Sequence, residues 1–230
     1  MTTDQATEGQ LFDDWPDRYD TWFTTPIGKL VKAYEAELLI ELLAPQPDEL
    51  ILDVGCGSGV FTALVGAVRP ALVGLDLSLP MLRRAEAKAV GYRFAALVGT
   101  MTRLPFADQS FDRVYSMTAL EFVADARSAI GEMNRVTRPG GTVVVTTLNS
   151  LSPWAVRRKE KAAAGHSLFA NMTFRSPQEM SRLASSPGTV KTAIHFLKDT
   201  DPGQAAVLEE QGRLEQKNTG ALVALCWQKQ

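Results

Sequence analysis

The sequence predicts an α/β domain built on a doubly wound parallel sheet, and three observations carry that expectation. Short β-branched and apolar runs at 51–54, 71–75, 94–98, 111–117 and 142–148 alternate with stretches of helical periodicity, the order that builds right-handed crossovers. The first run passes straight into Gly55-Cys56-Gly57-Ser58-Gly59, where backbone free of Cβ lets a ligand lie close. At 230 residues the chain is long enough to bury one sizeable core.

Residues 1–10 are polar and acidic and are expected to be a disordered start without a signal-peptide pattern. The stretch 11–23 then packs Phe12, Trp15, Tyr19, Trp22 and Phe23 among polar residues. It reads either as a surface helix stapled to the core or as a cap over a ligand cleft, with Tyr19 and Trp22 as walls and Trp15 and Trp22 as candidate substrate contacts. Thr25 and Pro26 make an N-cap and first-turn proline. Ile27, Leu30, Val31, Tyr34, Leu38 and Leu42 follow at helical spacing, so 26–43 is an amphipathic helix that Pro45 and Pro47 end. Residues 1–45 are thus a cap segment and helix ahead of a main unit at 46–230, within one domain overall.

After the strand at 51–54 a helix opens at Val60, and the free N–H groups of its first turn point back at the glycine turn. The second strand, 71–75, ends in Asp76. Ser78 and Pro80 open a helix carrying Met81, Leu82, Ala85 and Ala89, and Gly91 stops it. Phe94–Val98 is the third strand. Asp108-Gln109-Ser110 turns into the fourth, 111–117, where Asp112 is expected to satisfy backbone groups at the strand start. A helix from Ala124 to Val136 and a turn at Arg138-Pro139-Gly140-Gly141 lead into 142–148, a central strand by its β-branched content.

From 149 to 189 the pattern loosens into a lid-like insertion. Ser152-Pro153 starts a helix that carries Trp154, Arg157, Arg158, Lys159 and Lys161. That face is either solvated or part of a lid for an anionic substrate, with Trp154 and Arg157 as candidate contacts. His166 lies in the same insertion, and Ser176-Pro177-Gln178-Glu179 is a capping box. Val190–Leu197 reads as the sixth strand, with His195 on its face, and Ala221–Trp227 as the last.

The glycines alternate as G-x-G-x-G, whereas a dinucleotide fingerprint is G-x-G-x-x-G. Asp53, two residues before the first glycine, repels a pyrophosphate and suits an ammonium. Asp76 can accept both hydroxyls of a ribose, which NAD also offers. Together the two stretches resemble motif I and the acidic strand end of the class I S-adenosylmethionine-dependent methyltransferases. Leu104-Pro105-Phe106 followed by Ser110-Phe111-Asp112 and Val114, the Arg-Pro-Gly-Gly turn, and Asp76-Leu77-Ser78 with Met81-Leu82 match the same family. Arg18-Tyr19-Asp20 and Trp22-Phe23 are similar to the N-terminal segment of its small-molecule, ubiquinone/menaquinone-type branch, where a tyrosine closes over the methyl donor.

The resemblance implies a Rossmann-like, seven-stranded, mostly parallel sheet whose last strand inserts antiparallel between the fifth and sixth. It also implies S-adenosylmethionine as cofactor and methyl transfer to a small-molecule acceptor. It places Tyr19, Asp53, Gly55, Cys56, Gly57, Gly59, Asp76, Leu77, Met81, Thr100, Met101 and Met117 around the cofactor. Thr100 stands where the family has the acid that accepts from the adenine amino group, and a hydroxyl is a weaker acceptor; Met101 would contribute a backbone contact. Glu121 and His166 are the candidate general bases, although displacement at a sulfonium methyl needs alignment and dryness before it needs a base.

With 24 Lys and Arg against 26 Asp and Glu, the balance gives no electrostatic case for nucleic acid. Ser116-Met117-Thr118-Ala119 also stands where a nucleic-acid methyltransferase of the Asn-Pro-Pro-Tyr type differs. Cys56 and Cys226 make neither a disulfide framework nor a zinc site, and no metal is expected. No apolar run reaches membrane-spanning length, so the expectation is a cytoplasmic monomer or homodimer. Two other readings stay open: a protein that binds S-adenosylmethionine or S-adenosylhomocysteine without chemistry, and an NAD-dependent oxidoreductase.

Overall fold

Strands buried on both faces are selected by near-continuous apolar runs. In the computed structural model, which describes residues 12, 13, 15–165 and 167–230, the central strands are of this kind, and seven strands pair into one sheet. They are β1 (Leu50–Val54), β2 (Ala71–Asp76), β3 (Arg93–Val98), β4 (Phe111–Ser116), β5 (Thr137–Leu148), β6 (Gly188–Ala193) and β7 (Leu222–Gln228). Their order is β3-β2-β1-β4-β5-β7-β6. β1 to β5 pair in parallel, and β7 runs antiparallel to both β5 and β6. The order reverses between β1 and β4, the place where an open α/β sheet leaves a crevice at its carboxyl ends. Residues 1–10 and His166 lie outside the described residues.

Helices cover both faces: α1 (Pro16–Trp22), α2 (Pro26–Leu43), α3 (Val60–Gly66), α4 (Leu79–Lys88), α5 (Ala126–Val136), α6 (Pro153–Ala163), α7 (Ser167–Ala170), α8 (Pro177–Ser181) and α9 (Pro202–Leu214). Alternate strand residues feed two cores. Ile51, Tyr115 and Val144 join α2 and α3 on one side, while Leu52, Val114, Val143 and Val145 join α5 on the other. Thr25 caps α2 by accepting the Gly28 N–H at 3.1 Å, and the helix buries Ile27, Val31, Leu38, Leu39 and Leu43. Each apolar side chain of that size contributes about 1.5–3 kcal/mol when fully buried. Asp112 acts as expected: its Oδ2 accepts the Leu50 N–H at 2.8 Å and ties β4 to the start of β1.

Three parts of the sequence reading shift, and one helix was not foreseen. The expected turn at Arg138–Gly141 is a bulge inside β5, where pairing steps from Phe111↔Thr137 to Arg113↔Thr142. Gly140 supplies the left-handed backbone there, at φ 78. The helix expected from Ala124 begins at Ala126, because Asp125 is the cap and accepts the Ser128 N–H. The sixth strand ends at Ala193 rather than Leu197, since Ile194 turns left-handed at φ 67. His195 therefore follows the strand instead of standing on its face. The N–H groups of Ile194 and His195 donate to the Glu209 carboxylate at 3.0 and 2.6 Å. Glu209 comes from α9, a helix absent from the sequence reading, although Asp201-Pro202 marks its start as cap and first-turn proline.

Candidate active site

The glycine turn is held open by backbone that only glycine adopts easily. Gly55, Gly57 and Gly59 sit at φ 75, 52 and 75. The N–H groups of Gly55 and Cys56 donate to the Leu75 carbonyl at 2.7 and 3.1 Å, which stitches the turn to the end of β2. A Cβ on Gly55 would lie 2.5 Å from that of Ala119, whereas a Cβ on Gly57 would meet nothing within 4 Å. Asp76 bridges the turn and the next helix: Oδ2 accepts the Gly57 N–H at 2.8 Å and Oδ1 the Ser78 N–H at 2.9 Å.

Asp53 is buried at the end of β1. Its Oδ2 accepts from the Thr62 hydroxyl at 2.6 Å and the Tyr115 phenol at 2.7 Å, while Oδ1 is buried without a partner among the described residues. Burial pushes its pKa up to about 7, against the two hydroxyls that lower it.

The N-terminal segment is clamped over this turn by polar contacts. Asp20 accepts from the Ser58 hydroxyl at 2.6 Å and from Lys88 Nζ at 2.7 Å, and Lys88 also reaches Ser58 at 3.1 Å. Arg84 pairs with Asp17, and the Ser78 hydroxyl donates to Asp13 at 2.7 Å. Edge-to-face rings continue the cover: Phe12 on Phe122, Tyr19 on Phe23 and Trp22 on Trp154, with centroids 4.8, 5.2 and 6.5 Å apart. Burial, with Glu35 nearby, holds the Tyr19 phenol well above its usual pKa.

One cavity gathers most of the residues singled out by sequence. Trp15, Tyr19, Trp22, Asp53, Gly55, Cys56, Gly57, Asp76, Met81, Met117, Glu121 and Trp154 all line it. Gly59, Leu77, Thr100, Met101 and Arg157 are not in its wall. Gly59 instead lets α3 approach α4, since a Cβ there would lie 2.8 Å from that of Ala85. The Thr100 hydroxyl lies 3.0 Å from that of Thr102, and Met101 is packed in the core. Arg157, expected as a substrate contact, is exposed and pairs with Asp199 at 3.0 Å. Its neighbour Arg158 lines the cavity instead, because successive helical residues diverge by about 100°.

Sequence reasoning missed Glu35 and Arg158. Glu35 interrupts the apolar stripe of α2 four residues after Val31, and Arg158 stands four after Trp154; both spacings signal a shared face. Glu35 is buried, and burial lifts its carboxyl to about 8. Glu121, in the 3₁₀ turn Leu120–Phe122, rises to about 7 for the same reason. Its Oε2 accepts from the Thr147 hydroxyl at 3.1 Å. Thr118, beside it, carries strained left-handed backbone for a β-branched residue, at φ 48.

The methyltransferase-domain family matches residues 52–145. A demethylmenaquinone methyltransferase of Beutenbergia cavernae is 34% identical over 225 residues, 94% of this chain and 87% of that protein. The chain belongs to the class I S-adenosylmethionine-dependent methyltransferases. A malonyl-[acyl-carrier protein] O-methyltransferase of Salmonella typhimurium is 28% identical over 193 residues, 74% of this methyltransferase and 76% of the relative. Among solved structures, a SAM-dependent methyltransferase of Thermotoga maritima superposes with a TM-score of 0.75 at 21% identity, covering 97% of this chain and 100% of the other. The geranyl diphosphate C-methyltransferase of Streptomyces coelicolor, in complex with S-adenosyl-L-homocysteine, shares the fold at TM-score 0.62 and 19% identity, over 85% and 78% of the two chains. The methyltransferase uses S-adenosylmethionine as methyl donor and a small molecule as acceptor.

The cavity fits that donor. The unpartnered Asp53 Oδ1 can take up an ammonium group, and the open space beyond Gly57 leaves room against the turn. Among the described residues no cluster of three or more His, Cys, Asp or Glu could hold a metal, and no helix is long and apolar enough to cross a membrane.

Proposed function

We propose that this methyltransferase acts on a flat, largely apolar ring acceptor of the quinone type, held between the N-terminal cap and α6. The observation that carries the reading is the aromatic wall of the cavity: Trp15, Trp22, Phe122 and Trp154 line it together with the glycine turn and the Asp53 and Asp76 carboxylates. Aromatic walls bind a ring by area and by edge or face contact, and they keep water away. The demethylmenaquinone methyltransferase among the relatives supports the same class of acceptor.

Bound S-adenosylmethionine supplies an electrophilic methyl group on a sulfonium sulfur. In this reading Asp53 Oδ1 takes the ammonium, Gly55 and Gly57 give close backbone approach, and Asp76 uses its remaining lone pairs for the ribose hydroxyls. Met81 flanks the adenine, while Tyr19 and Met117 close over the methionine end. The cap, clamped through Asp20, Ser58 and Lys88, and the insertion at 149–189 act as a lid that keeps the displacement dry and aligned. Turnover tests this: the purified chain with S-adenosylmethionine is expected to release S-adenosylhomocysteine with reduced naphthoquinones and not with short aliphatic acids. Turnover confined to the aliphatic acids would overturn the acceptor class.

A further inference from the structure

A half-buried cation that forms no ion pair among the described residues lines the cavity. The Arg158 guanidinium lies 5.2 Å from the centre of the Trp154 ring. Its Nη1 is buried without a hydrogen-bond partner among the described residues, and it forms no ion pair with any described carboxylate. Such a group is costly unless something meets it. Two acids share the cavity with it, Glu35 from α2 and Glu121 from the 3₁₀ turn. Glu121 is engaged by Thr147, whereas Glu35 hydrogen-bonds to no described residue. Burial holds Glu35 at about 8, so at neutral pH it is mostly a carboxylic acid, a donor rather than a second anion. The two donors thus come from different elements, α2 and α6, into one cavity with aromatic walls.

We propose that Arg158 and Glu35 together clamp an acidic oxygen of the acceptor, a phenol, enol or carboxylate, with the guanidinium N–H and the carboxyl O–H as donors. The inference rests on the acceptor reading above and narrows it to oxygen acids. An amine acceptor would set a cation beside a cation.

The test uses the full chain, with and without S-adenosylhomocysteine, titrated with 2-naphthol, 2-naphthoate and 2-naphthylamine by calorimetry. At least one oxygen probe is expected to bind about tenfold or more tighter than the amine, the scale of hydrogen bonds to a charged group. Which one, hydroxyl or carboxylate, identifies the oxygen. Arg158→Met is expected to erase the preference while S-adenosylhomocysteine affinity stays; Glu35→Gln, still a donor, should keep it and Glu35→Ala should lower it. Should the Met variant not fold, Arg158→Lys decides, because loss of the planar fork is expected to weaken the preference several-fold. Equal binding of all three probes, or a preference untouched in the Arg158 variants, would overturn the clamp. A parent chain that binds the probes and not S-adenosylhomocysteine would overturn the cofactor site instead, so the two readings fail separately.

Discussion

Replacing Asp76 by Asn keeps the shape of the side chain and removes one acceptor. In the parent protein both carboxylate oxygens are engaged, one by the Gly57 N–H at 2.8 Å and one by the Ser78 N–H at 2.9 Å. The amide keeps one of these bonds and turns an NH₂ toward the other backbone N–H. A hydrogen bond to a charged group contributes about 1.5–3 kcal/mol, so the variant should lose a similar amount of stability. For a chain of this length that is about 2–4 °C of Tm per kcal/mol. The same amide also withdraws an acceptor from the ribose. One lost charge-assisted bond corresponds to about a 10- to 100-fold weaker Kd for S-adenosylmethionine. Calorimetry with S-adenosylmethionine and S-adenosylhomocysteine, beside a thermal melt, measures both effects. A fallen Tm with affinity within twofold of the parent would refute the ribose role and leave Asp76 as a shaper of the turn.

Two further outcomes follow from burial and backbone geometry. Glu35 at about 8 and Asp53 and Glu121 at about 7 bind protons in the folded state that the unfolded chain has already released. Their contribution to stability is full below the ordinary carboxylate pKa of about 4 and is lost as pH rises through 7 to 8. The urea midpoint should fall from pH 5 to pH 8, less steeply in Glu35→Gln; a midpoint that rises over that interval would contradict the assignment. Gly55→Ala and Gly57→Ala both meet positive φ, but only the first drives its Cβ into Ala119, 2.5 Å away. Gly55→Ala should therefore cost more stability, on the order of 1–2 kcal/mol for backbone alone, while Gly57→Ala should fold and lose donor affinity, as equilibrium unfolding beside calorimetry will show.

The parts of the fold that were legible in the sequence are those whose cause is local. Runs such as Ile51–Val54 and Thr142–Leu148 mark strands covered on both faces, and Thr25, Ser78, Ser152 and Ser176 each accept an N–H of the helix they open. The strand order was readable only through family likeness. The end of β6 was not readable, because Ile194 owes its left-handed turn to Glu209 on another helix. The bulge in β5 was missed for a related reason: Arg-Pro-Gly-Gly is a turn by propensity, and pairing with the neighbouring strands draws it into the sheet.

By itself the sequence determined the alternation of elements, their caps, the glycine turn and the two acids beside it, since each depends on residues a few places apart. Tertiary structure alone decided which side chains converge: Tyr115 on Asp53, Asp20 on Ser58, and Glu35, Glu121 and Arg158 around one chamber. It also turned Arg158 inward and Arg157 outward. A periodic pattern sets which face of a helix is apolar. The rotation at which that helix docks, and so the group it delivers to the cavity, follows from how distant elements pack.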